Sequence, residues 1–508
     1  MTFISIFYVL FLLSLLGIYW TSQKQRSRLW LLLIASLIFY ASLPLQPRYI
    51  PLLLFSILIN YSFGQVLGWS NNLRVRPLNR DRINSFNGKL ASFTLVNVQF
   101  LLLWIGIGLN VLLLFGFKYV AFFFTIGENL LNWPMAGNIA TWYSENVTPP
   151  LGISFFSFEC IAYLVDVYRG APPSRNLLRF ATYKFFFPKL ISGPITRYHN
   201  FVRQLKILHF PGSYQITEGL WLIACGAVKK GLVADRLGSF VDITFENLQR
   251  AGSGDLWLAI FAYGFQLYLD FSGYVDLARG TALLLGFNLP ENFDFPYFST
   301  SIADFWRRWH ISLGDWLRNY LYFPLGGSRK GLIRTCLNLL IVMLIAGVWH
   351  GAAWGFIIWG GWHGLALVIH RLTDTVSERF EGLKAWWTSI PGTILAWLLT
   401  QSMVFMSWVV FRLPMWKDSS WVFSHLWGYS ADVQFAQKVY GETLGIERFD
   451  LALLLGCLGG LMAISYGLSK RLKVQLNWPI KMLLVPVLLY IVWLLSPETG
   501  QAYIYFDF

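Results

Sequence analysis

Charged residues are scarce in this chain: Asp, Glu, Lys and Arg together make up only 13% of its 508 residues. Hydrophobic residues account for 56%, and the mean hydropathy is +0.52. A soluble globular domain carries about 25% charged residues, so a soluble fold is excluded. Apolar runs recur along the whole chain, and about ten to thirteen of them approach the roughly 20 residues needed to cross a bilayer. The sequence predicts an all-α polytopic membrane protein.

Cysteine is also rare, and it forms no metal-binding pattern. The four cysteines are far apart, each in apolar surroundings, and no Cys-x-x-Cys or Cys/His ligand spacing occurs. They are Cys160, Cys225, Cys336 and Cys457. Isolated cysteines of this kind are typical of small buried hydrophobic residues. We therefore expect no metal site.

The basic residues lie in short connections between apolar runs, not in one soluble module. They concentrate in residues 24–28, 74–89 and 470–473, and the net charge is +14. Because Lys and Arg accumulate in cytoplasmic loops, this pattern places both termini outside. A nucleic-acid-binding protein would carry a basic module, so no nucleic-acid partner is expected. The first basic residue is Lys24, so the opening segment resembles no signal peptide and should remain as the first span.

We interpret residues 1–508 as a single membrane domain with three zones. Residues 1–125 are N-terminal helices, residues 148–371 form the catalytic core, and residues 391–508 are C-terminal helices. In the core, glycine, proline and ionisable residues are mixed with apolar runs. Irregular backbone at membrane depth is tolerated only where protein or a water-filled cavity surrounds it. The core therefore indicates broken or re-entrant helices, with surface loops as the alternative.

A histidine, His350, lies in an apolar run from residue 339 to residue 356 that contains no Asp, Glu, Lys or Arg. Ionisable residues at membrane depth usually face a cavity, a partner or a reaction. Gly347 and Gly351 flank it at a spacing that allows close helix approach, which shields the ring from lipid. A neutral imidazole can accept a proton from an attacking hydroxyl as a general base. Packing is the other interpretation.

Two further histidines belong to the same part of the chain. His310 ends the segment Trp-Arg-Arg-Trp-His, whose pattern is typical of an amphipathic helix at the membrane interface. Contact with lipid headgroups accounts for Trp306 and Arg308 but leaves His310 unexplained. His363 repeats the Trp-His-Gly pattern of His350. Spacing alone does not choose between His350 and His363.

Acidic residues near position 270 are a third feature of the core. Asp276 and Arg279 are three positions apart, which predicts an ion pair on one helix face. Asp270 has no such local partner. It is a candidate for orienting a histidine or for holding a polar cavity.

Six stretches of the core resemble the membrane-bound O-acyltransferase family, in particular its bacterial polysaccharide branch, typified by alginate O-acetylase. They are PLGISFFSFE, VDVYRG, FFPKLISGPI, FQLYLDFSGYVDLARG, ENFDFPYFSTSIADFWRRWHISL and AGVWHGAAWGFIIWGGWHG. The tail, YIYFDF, is similar to that of the same branch. Glu159 departs from the glutamine expected in the first motif, which affects only local hydrogen bonding.

The resemblance implies a ring of tilted and broken transmembrane helices around a central tunnel. The family's catalytic histidine falls on His350 and its second histidine on His310. Candidates for lining the tunnel or orienting the reactants are five further polar and aromatic residues of the core. They are Asp270, Trp306, Arg308, Trp349 and His363.

The implied activity is that of a membrane O-acyltransferase in the bacterial inner membrane. It would pass an acyl group, expected to be acetyl, from a cytoplasmic donor such as acetyl-CoA to an exported polysaccharide such as alginate. His350 would activate the acceptor hydroxyl or relay the acyl unit, with a periplasmic SGNH-hydrolase-like partner and no bound cofactor. Two alternatives remain open: D-alanyl transfer to teichoic acid, and a transporter or flippase, since transporters share broken helices and intramembrane charges.

Overall fold

The computed structural model describes residues 3–75, 86–205, 209–497 and 500–506. Within these ranges the regular structure is helical, and the only pairing of extended residues is an isolated bridge between Phe293 and Trp309. The predicted all-α class is confirmed. The basic loop predicted between residues 74 and 89 lies largely outside the described residues.

The chain divides into two compact units, the first formed by Met1–Gly212 and Thr281–Leu289. Its helices are α1 (Ile6–Thr21), α2 (Gln25–Ala41), α3 (Ile50–Val75), α4 (Phe86–Lys118), α5 (Val120–Leu131), α6 (Pro134–Asn146), α7 (Ile153–Tyr168), α8 (Leu177–Phe185) and α9 (Tyr198–Leu205). Helix α7 is buried along nearly its whole length, because it packs on both α3 and α4.

Glu159, on α7, is the centre of a buried ion-pair cluster in this unit. Its carboxylate accepts hydrogen bonds from Lys184 at 3.2 Å and Lys189 at 2.5 Å, and from the amide and hydroxyl of Thr196 at 3.0 Å each. A carboxylate gives the two buried lysines a counter-charge, which a glutamine would not do. The cluster holds the segment between α8 and α9, which contains two prolines and is not helical.

The second unit comprises Ser213–Gly280 and Pro290–Phe508. Its helices are α10 (Ser213–Ala227), α11 (Asp235–Glu246), α12 (Ser253–Leu284), α13 (Ile302–Arg308), α14 (Ile311–Leu317), α15 (Leu332–His350), α16 (Trp354–Ser377), α17 (Glu381–Thr388), α18 (Ile390–Arg412), α19 (Trp416–Ser424), α20 (Val433–Ala436), α21 (Arg448–Tyr466) and α22 (Trp478–Leu495). A π-helical segment, Val228–Ala234, joins α10 to α11. Such segments are rare and occur frequently at functional sites.

Six helical segments in the described ranges are long and apolar enough to cross a membrane. They are Pro47–Ser70, Asn97–Lys118, Leu332–His350, Ile390–Arg412, Arg448–Arg471 and Trp478–Leu495. These segments support a multi-pass membrane protein, but they are fewer than the spans estimated from apolar runs. The estimate counted runs whose helices are short, such as α10 with 15 residues, or polar in the middle, such as α12 with Gln266 and Asp270.

Glycines allow helices α15 and α16 to approach closely. A Cβ atom at Gly360 would lie 2.5 Å from the carbonyl oxygen of Met343, and one at Gly347 would overlap that of Phe356. Side chains at these positions would push the two backbones apart. The structure thus confirms the close approach predicted from Gly347, and it places the end of α15, with His350, against α16.

Gly360 and Gly361 provide a matched test of this packing. We expect Gly360→Ala to destabilise the protein by about 1–3 kcal/mol, because an added methyl must displace backbone. The nearest atom to a Cβ at Gly361 is Leu344 Cδ2 at 3.8 Å, so Gly361→Ala should be tolerated. Thermal unfolding of both variants in detergent measures the difference. Equal midpoints would contradict the close contact.

Candidate active site

His350 is the last residue of α15, and its side chain is buried, with 3% of the residue exposed. Its ring centroid lies 5.1 Å from that of Trp359, with an interplanar angle of 85°, and 5.1 Å from that of Phe411, at 74°. These are edge-to-face arrangements, which aromatic rings favour. The predicted shielding of His350 is confirmed, and neighbouring aromatic side chains provide much of it.

His310 lies in the turn between α13 and α14 and is 1% exposed. Its φ of 44° and ψ of 54° are in the left-handed region, which is uncommon for a residue other than glycine. The amides of Ile311 and Ser312 hold this turn by donating to the Asn292 carbonyl and side chain, each at 3.0 Å. Strained backbone of this kind is concentrated at functional sites. Burial lowers the pKa of His310 to about 3, so its ring is neutral at pH 7.

Trp349 and Tyr505 lie next to both histidines. The Trp349 ring centroid is 4.8 Å from that of His350 and 6.2 Å from that of His310. The corresponding distances from Tyr505 are 6.1 and 6.0 Å. The structure therefore brings the two predicted histidines to one aromatic cluster, from segments 40 positions apart in the chain. Tyr505 was not predicted as a site residue, and the aromatic tail was its only signal.

A buried ion-pair cluster holds the C-terminal segment that carries Tyr505. The Lys230 ammonium contacts Asp270 at 2.6 Å and Asp235 at 2.8 Å, and it donates to the Ala502 carbonyl at 3.1 Å. The other Asp270 oxygen accepts from the Ile504 amide at 3.0 Å. Asp270 thus fixes the tail beside the histidines.

The predicted pairing of Asp276 with Arg279 is wrong. Asp276 pairs instead with Lys229 at 2.6 Å, and Arg279 pairs with Glu291 at 2.9 Å. Positions three apart on a helix are neighbours, but partners from elsewhere in this unit displace the local contact.

His363 lies on α16, fully buried, and its contacts favour a packing role. Its Nε2 is 2.9 Å from Ser407 Oγ, and that hydroxyl donates to the Val404 carbonyl at 2.6 Å. Because the serine proton is used in that bond, Nε2–H of His363 is the donor to Ser407. His363 therefore holds α16 to α18 in a fixed tautomer.

Trp306 and Arg308 occupy different surroundings, although both belong to α13. The Trp306 ring centroid lies 5.2 Å from His363 and 5.7 Å from Trp359, so it joins the aromatic cluster. Arg308 pairs with Asp304 at 2.9 Å and lies over the ring of Tyr466. Of the two, Trp306 is the one placed near a histidine.

The protein's family follows from comparison with known proteins. A family model described as MBOAT, the membrane-bound O-acyltransferase family, matches residues 140–411, more than half of the chain. The chain belongs to this family. As an MBOAT protein it is a membrane O-acyltransferase, and the transporter alternative loses its support. The matched residues include His310, His350 and Trp349.

Several curated relatives of this MBOAT protein have named activities. A Pseudomonas putida protein named "Probable alginate O-acetylase AlgI" is 41% identical over 454 residues, covering 88% of this chain and 84% of the relative. The peptidoglycan O-acetyltransferase of Helicobacter pylori is 36% identical, covering 76% and 71%. The teichoic acid D-alanyltransferase of Bacillus subtilis is 27% identical, covering 49% and 66%.

Proposed function

We propose that this MBOAT protein transfers an acetyl group from a cytoplasmic thioester donor, acetyl-CoA, to an exported polysaccharide such as alginate. The observation that supports this proposal most is that His310 and His350 lie beside the same two aromatic side chains, Trp349 and Tyr505. The choice of acetyl rests on the relatives: those named as acetylating enzymes are 41% and 36% identical over most of the chain. The relative named for D-alanyl transfer is 27% identical over about half of it.

In the proposed reaction, His350 is the general base. Its imidazole takes the proton of the acceptor hydroxyl as the oxygen attacks the thioester carbonyl carbon. The new C–O bond forms, the C–S bond breaks, and the leaving thiolate takes the proton back from the imidazolium. General-base catalysis of this kind contributes about 10²–10⁴-fold in rate. His310, which is neutral, orients the donor or the acceptor.

The proposed setting is the bacterial inner membrane, with both termini outside. The basic residues of 24–28 and 470–473 support it, because short basic loops stay in the cytoplasm. The first acceptor on the outer side would be a hydroxyl of a periplasmic SGNH-hydrolase-like partner, which then acetylates the sugar. Neither the histidines nor the proposed reaction requires a metal.

Isotope transfer tests the donor and the acceptor together. We expect acetyl-CoA labelled in its acetyl group to yield labelled ester on the exported polymer in cell membranes that contain the protein. Membranes from a deletion strain should give none. Mass analysis of the glycan locates the label. Transfer of D-alanine, with no acetyl ester formed, would contradict the proposal and favour teichoic acid modification.

A further inference from the structure

A cavity of about 820 Å³ in the first compact unit is lined by five arginines and one carboxylate. The charged lining residues are Asp166, Arg169, Arg175, Arg179, Arg197 and Arg203. Asp166 and Arg169 lie at the end of α7, and Arg175 lies in the connection between α7 and α8. Arg179 lies on α8, Arg197 lies just before α9, and Arg203 lies in the last turn of α9. The positive-inside bias explains basic residues in such connections. It does not explain why their side chains converge on one cavity.

Neutral groups hold the wall of this cavity in place. The Ser174 amide donates to the Tyr163 hydroxyl at 3.0 Å, and the Tyr198 hydroxyl donates to Ser174 Oγ at 2.5 Å. Pro173 packs so closely on Gly68 that a Cβ atom there would overlap its ring. Hydroxyls, amides and packing thus hold the connection at Pro173 and Ser174.

The positive charge of the cavity exceeds what its acidic residue can balance. In the part of the chain that the structure describes, Arg175 and Arg203 form no ion pair, and Arg179 donates only to the neutral Gln25, at 3.3 Å. His199 Nε2, which also faces this region, is buried with no hydrogen-bond partner among the described residues. Converging guanidinium groups with few carboxylates are typical of sites for phosphate, which they bind in a bidentate manner.

The contacts of Gln25 indicate which membrane side the cavity faces. Its side chain accepts from Arg179 and donates to the Leu205 carbonyl at 2.5 Å. Gln25 belongs to the basic connection of residues 24–28, which the positive-inside rule assigns to the cytoplasm. The cavity therefore lies at the cytoplasmic end of this unit, where organic phosphates and anionic headgroups are both available.

We infer that this cavity is a binding site for an organic phosphate. Two sources share that chemistry: a soluble nucleoside bisphosphate, and the headgroup of an anionic phospholipid in the cytoplasmic leaflet, since basic pockets of membrane proteins bind such headgroups. The inference does not depend on the role of His350. The cavity recognises its ligand by negative charge and by the paired hydrogen bonds that guanidinium groups donate to phosphate.

Binding measurements on the full-length protein in neutral detergent test this site. In one arm, adenosine 3′,5′-bisphosphate is titrated into the protein. In the other arm, phosphatidylglycerol is titrated into the protein, with phosphatidylcholine as the reference lipid. For the double variant Arg175→Ser/Arg203→Ser, we expect affinity for at least one anionic probe to fall about tenfold for each arginine removed, as for the loss of a charge-assisted hydrogen bond. Arg26→Ser removes an exposed charge in the connection of residues 24–28 and should leave affinity unchanged.

The two arms identify the source of the phosphate. A loss confined to the bisphosphate indicates a soluble ligand, and a loss confined to phosphatidylglycerol indicates a lipid; either result supports the site. The variant Arg175→Lys/Arg203→Lys keeps the charge and should recover part of the affinity, which a folding defect would not allow. His350→Ala should bind as the wild type does. Absence of binding by the wild type, or equal affinities for the double serine variant and Arg26→Ser, would overturn the inference.

Discussion

Replacing Lys230 with methionine is expected to lower the free energy of unfolding by about 3–5 kcal/mol, the usual cost of breaking a buried ion pair. The Lys230 side chain is 3% exposed, and its partners Asp235 and Asp270 are 5% and 3% exposed. Methionine fills much of the same volume but leaves two buried carboxylates without a counter-charge. Because the cluster also holds Ala502 and Ile504, the C-terminal segment should detach, and proteolysis of the native protein should remove it.

Lys229 is the matched control for this prediction. It is adjacent in the chain, but its side chain is 31% exposed and it pairs only with Asp276 among the described residues. Lys229→Met should therefore cost much less than Lys230→Met in thermal unfolding. Adding Asp270→Asn to Lys230→Met should restore part of the stability, since one unbalanced charge is removed while an acceptor for the Ile504 amide remains. Equal stability of the two lysine variants would contradict a buried cluster.

Replacing His350 with alanine is expected to reduce acyl transfer by about 10²–10⁴-fold, the range that a general base contributes. The rate is measured as labelled acetyl ester formed per amount of folded protein in membranes. The effect is on the reaction itself, so binding of the donor should change far less than the maximal rate.

His370 provides the histidine control for that experiment. It lies on α16, is partly exposed, and has Asp374 at 3.3 Å. Because it belongs to none of the contacts around His350 and His310, His370→Ala should retain near wild-type transfer. A His350→Ala rate within a few-fold of the His370→Ala rate would show that no proton transfer depends on His350.

The parts of the fold that follow from local rules could be predicted from the sequence. The two prolines between α8 and α9 disfavour a continuous helix there, and Gly347 beside His350 predicts a close helix contact. Both depend on residues near each other in the chain. The all-α class follows from the long apolar runs, because runs of roughly 20 apolar residues are typical of membrane helices, which satisfy their own backbone hydrogen bonds.

Contacts between distant segments could not be predicted. Asp276 has a partner three positions away in sequence, yet Lys229, on the π-helical segment, takes its place. Lys230 and Asp270 help to hold the tail that brings Tyr505 to the histidines, and nothing in the local sequence around those two residues indicates this role. Spacing also left His363 equivalent to His350. The structure adds the bond from His363 to Ser407, on another helix, which spacing does not indicate.

The acetyl ester content of the exported polymer in cells carrying His350→Ala, beside cells carrying His363→Gln, tests most directly whether His350 is the base. Glutamine can still donate to Ser407, so His363→Gln should keep the contact between α16 and α18. The acetyl ester content in these cells should then be proportional to the amount of folded protein. His350→Ala should leave the polymer without acetyl ester at equal protein levels. Full acetylation with His350→Ala, or its loss only with His363→Gln, would contradict the assignment.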